Sequence, residues 1–192
     1  MEHRHFIIHK PYGFKSQFIS NERKKKSKLL SELDYDFPEG TMAIGRLDVP
    51  SEGLLLLTTD GKVSHTLRSK KVEKEYHVQV DGQITKEAID LLSKGVEIGI
   101  KGKKYMTLPC KVSKLLQAPQ FPMIGWKIRD ERHGPTSWIS ITITEGKYRQ
   151  VRKMTAAAGF PTLRLIRVRV GAIELKGLAA GDVIEVTSLL RE

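Results

Sequence analysis

The chain has 192 residues, with 33 Lys and Arg against 22 Asp and Glu, and its formal net charge at pH 7 is +11. This excess of positive charge favours a polyanionic partner, above all nucleic acid. A single cysteine excludes an internal disulfide, no apolar stretch approaches the length of a membrane span, and the polar N-terminus is unlike a signal peptide. We therefore expect a cytoplasmic protein without membrane contact, folded as one domain or two closely joined subdomains.

The first predicted element is a short strand at Phe6–Ile8, ended by a turn at His9–Gly13. His3, His5 and His9 surround this strand. No cysteine or carboxylate cluster accompanies them, so we expect surface histidines and no metal site.

A run of basic residues follows, which includes Lys24, Lys25 and Lys26. Such a run is commonly a solvated segment. On a strongly basic chain, a loop that contacts phosphates is an equal alternative, and both interpretations stay open. The helical spacing of the next three leucines predicts a short helix at Ser27–Leu33.

The most informative stretch is Gly45–Gly61, which reads GRLDVPSEGLLLLTTDG. The apolar run Leu54–Leu57, with turn residues on both sides, predicts a strand that is buried on both faces. At a period of two, Arg46 and Asp48 share one side of the chain, and Pro50 marks its exit from regular structure. A carboxylate beside a buried strand must be paired or must face a cleft. Asp48 is therefore either a turn aspartate paired with Arg46 or a functional carboxylate.

The residues after this stretch predict a helix and then a strand. The Asp60-Gly61 pair is compatible with a hairpin or with the start of a helix, and we favour the helix because no alternating strand follows at once. Lys74–Val80 does alternate and places Tyr76 on the apolar face. A tyrosine in that position is normally a core residue.

The middle of the chain predicts a helix, short strands and a loop. Thr85 is a suitable N-cap for a helix that Gly95 ends. Short strands are expected on both sides of the basic turn at Lys101–Lys104. Residues 117–135 are rich in Pro and Gly and read as a loop.

The last part of the chain carries two basic faces. A helix predicted over Lys147–Ala158 places Arg149, Arg152 and Lys153 on one side, at positions i, i+3 and i+4. A solvated basic stripe is the ordinary explanation of such a face. The strand that follows places Arg167 on a second basic face.

Several segments, taken together and in this order, resemble RNA pseudouridine synthases, in particular the branch that modifies ribosomal RNA. The resemblance extends from His9 to the last predicted strand. It rests on Lys-Pro-Tyr-Gly at Lys10–Gly13, on Gly-Arg-Leu-Asp at Gly45–Asp48 with the Glu-Gly step, leucine strand and Asp-Gly turn after it, on Lys-x-Tyr at Lys74–Tyr76, and on Gln-Val-Arg at Gln150–Arg152.

The resemblance implies an α+β catalytic fold, with a mixed, largely antiparallel sheet and helices around a central cleft. It implies one subdomain at about residues 1–40 plus 137–192 and a second at about 41–136. The chain starts almost directly at its Lys-Pro-Tyr-Gly segment, so no separate N-terminal RNA-binding module is expected. The family reaction needs neither a metal nor an organic cofactor.

The resemblance also implies site residues. Asp48 becomes the catalytic aspartate, Tyr76 the aromatic residue that packs on a flipped-out uracil, and Arg152 the cation that pairs with the aspartate, with Arg149 in reserve. The expected partner is structured 23S ribosomal RNA, bound by a monomer. The residues expected to contact this RNA are Arg46, Arg149, Lys153, Arg167, Lys24, Lys25 and Lys26.

Two other classes of function remain as alternatives. A catalytically silent protein of ribosomal RNA binding or ribosome assembly would explain the charge, but it would leave the motif residues without a role. A glycoside hydrolase would need Asp48 with Glu52 or Asp60 as its two carboxylates, and a strongly basic chain is a poor host for neutral glycans. Both alternatives are weaker than the synthase interpretation.

Overall fold

A computed structural model of the protein describes residues 2–21, 27–69, 72–122 and 131–190. The fold is α+β with a mixed, largely antiparallel sheet, as predicted. In chain order, the elements are β1 (His5–Lys10), β2 (Met42–Ile44), β3 (Glu52–Thr58), α1 (Gly61–Ser69), β4 (Lys74–Asp81), α2 (Lys86–Lys94), β5 (Glu97–Ile100), β6 (Lys103–Met106), β7 (Lys111–Leu115), β8 (Thr136–Ile143), α3 (Gln150–Ala157), β9 (Thr162–Val170), β10 (Ile173–Glu174) and β11 (Val183–Val186). Among the described residues, no helix has the length and apolar character needed to cross a membrane.

The chain forms two compact units. Unit 1 consists of Met1–Val72 and Arg167–Glu192, and unit 2 consists of Glu73–Ile166. These bounds differ from those expected from the sequence, which are 1–40 with 137–192, and 41–136. The difference follows from strand pairing, because β3 pairs with both β1 and β2, whereas β8 pairs with β4.

Strand β3 lies at the centre of unit 1. All seven of its residues are buried, so the prediction of a strand covered on both faces is confirmed. Strand β1 pairs with it in antiparallel register, from His5 opposite Thr58 to Lys10 opposite Gly53. On its other side, β1 pairs with β11. The N-terminal and C-terminal strands of the chain are therefore neighbours in one sheet.

Two histidines of β1 are buried, although surface positions were expected. His5 and His9 are 8% and 2% exposed. The Nδ1 atom of His5 lies 2.8 Å from Oγ1 of Thr58, and Nδ1 of His9 lies 2.9 Å from the carbonyl oxygen of Leu178. Each ring thus has a polar partner within unit 1, which is the usual condition for burying a polar group.

The helix predicted at Ser27–Leu33 is reduced to a 3₁₀ turn at Leu30–Glu32. Pairing with an earlier loop uses the backbone that a longer helix would need. The amide of Lys28 donates to the carbonyl oxygen of Gly13 at 3.0 Å, and the amide of Leu30 donates to that of Gln17 at 3.0 Å.

Helix α1 begins where the Asp-Gly pair was expected to start a helix, so that prediction is confirmed. Oδ1 of Asp60 accepts hydrogen bonds from the amides of Lys62 at 2.7 Å and Val63 at 3.4 Å. These bonds lower the pKa of the Asp60 carboxyl, although partial burial opposes the shift. An aspartate that accepts from the first free amides of a helix is a typical N-cap.

Unit 2 is built around the antiparallel pair β4–β8, with β7 on the other side of β8. Helix α2 starts as predicted, because Oγ1 of Thr85 accepts from the amide of Ala88 at 3.2 Å, and it ends at Gly95 with φ of 103°. Strands β5 and β6 form a separate two-stranded sheet. Helix α3 begins at Gln150, three residues later than predicted.

Candidate active site

Asp48 lies in a turn between β2 and β3. Its carbonyl oxygen accepts a hydrogen bond from the amide of Ser51 at 2.9 Å, and the next carbonyl, that of Val49, accepts one from the amide of Gly13 at 2.9 Å. Asp48 is half-buried, and Arg46 is exposed. The backbone is therefore fixed on both sides of the point where the Asp48 carboxylate leaves the chain.

A buried serine fixes the residue before Asp48. The Ser16 hydroxyl donates to the carbonyl oxygen of Leu47 at 3.0 Å and accepts from the Leu47 amide at 2.9 Å. Ser16 and Leu47 are 9% and 7% exposed. Because both polar groups of one peptide residue are held by one buried side chain, the direction in which Asp48 projects is constrained.

Lys10, at the end of β1, has no exposed surface. Its ammonium group donates to the carbonyl oxygens of Pro11 at 2.8 Å and Phe14 at 2.7 Å. Burial lowers the pKa of Lys10 to about 7, because removal from water disfavours the charged form. Lys10 therefore titrates close to neutral pH.

Three other charged groups of unit 1 act on Lys10. The carboxylates of Glu52 and Asp48 raise its pKa, and the guanidinium of Arg167 lowers it, although burial remains the largest cause of the shift. Glu52 is 1% exposed and Arg167 is 5% exposed. Asp48 is thus one of three charged groups that act on Lys10, and we call the four residues the Lys10 cluster: Lys10, Asp48, Glu52 and Arg167.

The alternation of its strand suggested that Arg167 lies on an exposed basic face, but the structure does not place it there. Its Nε donates to the carbonyl oxygen of Leu54 at 2.8 Å. At Gly53 the two backbones approach so closely that a Cβ atom would lie 2.3 Å from the carbonyl oxygen of Arg167. The missing side chain of this glycine lets the strands meet, and their contact encloses Arg167.

The Lys10 pKa predicts a pH-dependent stability. Between about pH 7 and pH 10.5 the unfolded chain binds more protons at Lys10 than the folded chain does. The contribution of Lys10 to the free energy of unfolding therefore increases as the pH rises through this range. Relative to Lys10→Met, wild type should gain about 1 kcal/mol per pH unit in that window, and urea unfolding from pH 6 to pH 10 measures this gain.

A matched control for this prediction is Lys176→Met. A hydrogen bond to Glu174 raises the pKa of exposed Lys176, a shift in the opposite direction to that of Lys10. Relative to Lys176→Met, wild type should therefore show no gain in the free energy of unfolding as the pH rises. If the difference between wild type and Lys10→Met does not change with pH, the titration assigned to Lys10 is wrong.

In unit 2, Tyr76 stands on β4 opposite Ile141 of β8, on the same face as Val78 and Val80. It is 8% exposed. Its hydroxyl makes no hydrogen bond to any residue that the structure describes. The ring is therefore held by packing, and the hydroxyl is not used to fasten it.

The start of α3 differs from the expected regular helix. Arg149 precedes the helix with φ of 52° and ψ of 36°, a left-handed conformation that is uncommon for residues other than glycine. Arg149 is exposed and Arg152 is half-buried. Lys153, expected to contact RNA, donates from Nζ to the carbonyl oxygen of Gly99 at 2.5 Å. The three cations thus have three different environments.

A buried glutamine and a glutamate hold the loop before α3. Glu145 accepts from the Tyr105 hydroxyl, from the amide of Leu108 at 2.8 Å and from Nε2 of Gln150 at 2.8 Å. Oε1 of Gln150 in turn accepts from the amide of Lys147 at 3.0 Å. Burial alone would raise the pKa of Glu145, but these hydrogen bonds outweigh it and lower the pKa. The loop that leads to Arg149 and Arg152 is therefore fastened at several points.

Lys10, Glu145 and Gln150 were not predicted as site residues, and Glu52 was considered only as a second carboxylate in the glycoside hydrolase alternative. The available signal was their place inside the quoted motifs or next to them, since Lys10 begins Lys-Pro-Tyr-Gly and Gln150 begins Gln-Val-Arg. Lys24, Lys25 and Lys26 lie outside the described residues, so their expected RNA contacts stay a prediction.

Known proteins match this chain over most of its length. Residues 4–157 match the RNA pseudouridylate synthase family. Two relatives are called ribosomal large subunit pseudouridine synthase E. The one from Vibrio parahaemolyticus is 42% identical over 92% of this chain and 71% of its own length. The one from Xanthomonas axonopodis pv. citri is 41% identical over 90% and 88%.

A solved structure supports the same assignment. A crystal structure of a pseudouridylate synthase matches with a TM-score of 0.75 and 27% identity, over 96% of this chain and 70% of that one. The α+β fold is therefore the pseudouridine synthase fold that the sequence motifs implied. The chain belongs to the RNA pseudouridylate synthase family and is an isomerase that makes pseudouridine.

Proposed function

We propose that this enzyme converts a specific uridine of 23S ribosomal RNA to pseudouridine, with Asp48 as its nucleophile. The names of the relatives from Vibrio and Xanthomonas, both large-subunit enzymes, support the target. The net charge of +11 suits an RNA substrate. The single observation that carries the role of Asp48 is its half-buried position in a fixed turn of the Gly-Arg-Leu-Asp segment, within the Lys10 cluster.

The reaction is an isomerisation and needs no co-reactant. The bond between C1′ and N1 of uridine breaks, the uracil rotates, and a bond forms between C1′ and C5. The proton on C5 is lost and N1 gains one, so the atoms balance. We propose that the enzyme uses neither a metal nor an organic cofactor for these steps.

The side chains take different roles in this proposal. The Asp48 carboxylate forms the transient bond to the nucleoside, as carboxylate nucleophiles do in other glycosidic chemistry. The Tyr76 ring stacks on the flipped-out uracil and lowers the free energy needed to remove it from the RNA. Arg152 supplies the cation that pairs with the catalytic aspartate. The exposed side chains of Arg46 and Arg149 contact phosphates of the RNA.

The test is to map pseudouridines in 23S ribosomal RNA from cells with and without the gene, and then to treat the unmodified RNA with purified protein. We expect one site to disappear from the cells and to return in vitro. If the RNA is bound but no pseudouridine in 23S ribosomal RNA depends on the protein, the proposed target and hence the proposed function are wrong.

Substitutions at Tyr76 test the stacking role. Tyr76→Phe keeps the ring and should retain activity within about tenfold, because the lost hydroxyl makes no hydrogen bond to a residue in the described part of the chain. Tyr76→Leu removes the stacking surface and should lower the rate by about 100-fold. The measurement is single-turnover pseudouridine formation, with circular dichroism to verify folding. A Leu variant as active as wild type would return Tyr76 to the ordinary core.

A further inference from the structure

The β5–β6 hairpin presents lysines at its tip. Ile100 pairs with Lys103, so Lys101 and Gly102 form a two-residue turn, and their φ angles of 48° and 79° have the signs of a type I′ turn. Asn or Gly is usual at the first of these positions, and lysine is rare there. Lys101 and Lys103 are both exposed. An unfavourable lysine at an exposed tip suggests a use for its charge.

The hairpin is held against the start of α3 by named contacts within unit 2. Ile98 is 4% exposed. Tyr105 donates from its hydroxyl to Glu145, and the ammonium of Lys147 lies 4.7 Å from the centre of the Tyr105 ring. Lys153 donates to the carbonyl oxygen of Gly99, as described above. The hairpin and the loop before α3 therefore form one continuous surface.

Tyr148 stands on this surface and is 67% exposed. The ammonium of Lys153 lies 5.3 Å from the centre of its ring. Lys147 and Arg149, on either side of Tyr148 in the sequence, are also exposed. An exposed aromatic ring among cations is the arrangement that proteins use to stack an unpaired base beside its phosphates.

The acidic residues of the hairpin and of the loop before α3 do not cancel this charge. Glu97 pairs with Lys104 at 2.9 Å. Glu145 keeps its negative charge while it accepts the three hydrogen bonds from Tyr105, Leu108 and Gln150. The exposed cations Lys101, Lys103 and Lys147, together with Lys104 and Lys153, outnumber these two carboxylates, so the surface around Tyr148 is net positive and favours a polyanion over a protein partner.

We propose that the hairpin tip and Tyr148 form an accessory RNA-binding surface, on which Lys101 and Lys103 contact phosphates and Tyr148 stacks on an unpaired base near the target uridine. The inference rests on the proposed function for the identity of the RNA. It assigns a binding role to residues outside the catalytic aspartate segment.

The first test concerns the phosphate contacts. Lys101→Asn with Lys103→Gln removes two charges and leaves Asn-Gly, a favoured pair for this turn. The matched control, Lys86→Gln with Lys94→Gln, removes two charges from exposed positions of α2. Anisotropy of a labelled 23S ribosomal RNA fragment, measured from 50 to 300 mM salt, gives log K against log salt. This slope is negative, and we expect its magnitude to decrease by about 1.5 in the lysine double variant and to stay at the wild-type value in the control.

The second test concerns stacking. Tyr148→Ala should weaken binding of the same fragment about fivefold or more, whereas Tyr148→Phe should bind as wild type does. Neither substitution removes a charge, so neither should alter the slope of log K against log salt. Leu116→Ala, at a position that is 97% exposed in the same unit, is the control for truncating a surface side chain.

The accessory surface is wrong if the double lysine variant has the same slope as its control, or if Tyr148→Ala binds as wild type does. The readout is binding, so it is independent of catalysis. Wild type that forms no pseudouridine, while both tests show their losses, would refute the proposed function and retain the surface. If wild type forms pseudouridine normally but the variants bind as their controls do, the accessory surface is refuted and the proposed function is retained.

Discussion

Asp48→Asn should abolish pseudouridine formation and leave RNA affinity within about tenfold of wild type, or roughly 1.4 kcal/mol. Asparagine has nearly the shape of aspartate, so the turn that Ser51 and Gly13 stabilise through the backbone should persist. An amide is a far poorer nucleophile than a carboxylate and cannot offset positive charge that develops on the ribose. Pseudouridine in treated 23S ribosomal RNA and anisotropy with the same RNA measure the two effects.

The same motif offers a matched control for this prediction. Asp60→Asn makes the identical chemical change, but Asp60 caps α1, and asparagine is an equally good N-cap. We expect Asp60→Asn to keep normal activity and stability. Pseudouridine formation by the Asp48→Asn variant would remove Asp48 from the nucleophile role. Loss of activity in both variants would point to a general effect of charge in this segment.

Local signals in the sequence predicted those elements whose cause is local. The leucine run of β3, the Asp60 cap of α1 and the Thr85 cap of α2 each depend on neighbouring residues, and all three are confirmed. The site segment was likewise recognisable because its motif residues are contiguous. Contiguity is what allows a family motif to be read from one chain.

The surroundings of Asp48 could not be predicted, because they depend on segments distant in sequence. Lys10 is buried where β1 pairs with Gly53 of β3, a contact distant in sequence, although the carbonyl oxygens to which it donates belong to the loop just after it. Arg167 follows a strand alternation that suggests an exposed face, yet the close approach at Gly53 covers it. Tertiary contact decided both outcomes.

The start of α3 shows a different limit. The sequence from Lys147 onward has a helical pattern, and propensity alone extends the helix to that residue. The amide of Lys147 instead donates to Oε1 of Gln150, whose Nε2 donates to Glu145, and Arg149 takes a left-handed conformation. A residue in such a conformation is often part of a functional site, which agrees with the phosphate-contacting role proposed for Arg149.

Among the Gly→Ala substitutions in unit 1, we expect Gly53→Ala to lower the free energy of unfolding most. Gly53 has φ of 102°, and an added Cβ would lie 2.3 Å from the carbonyl oxygen and 2.8 Å from the amide nitrogen of Arg167. Both are backbone atoms, so no side chain can rotate away, and β3 and β9 would have to separate. We expect a loss of about 4 kcal/mol or more in the free energy of unfolding, which is a large part of the stability of an ordinary domain.

Gly177→Ala separates the two causes of this loss. Gly177 also has a positive φ, of 76°, but a Cβ built there has no atom within 4 Å, so only the backbone conformation is penalised. Its substitution should lower the free energy of unfolding by about 1 to 2 kcal/mol. Urea unfolding of the two variants measures the difference, which is the contribution of the close approach at Arg167. Equal losses in both would mean that the strands do not meet at Gly53 as tightly as the structure shows, and the explanation given for the burial of Arg167 would be wrong.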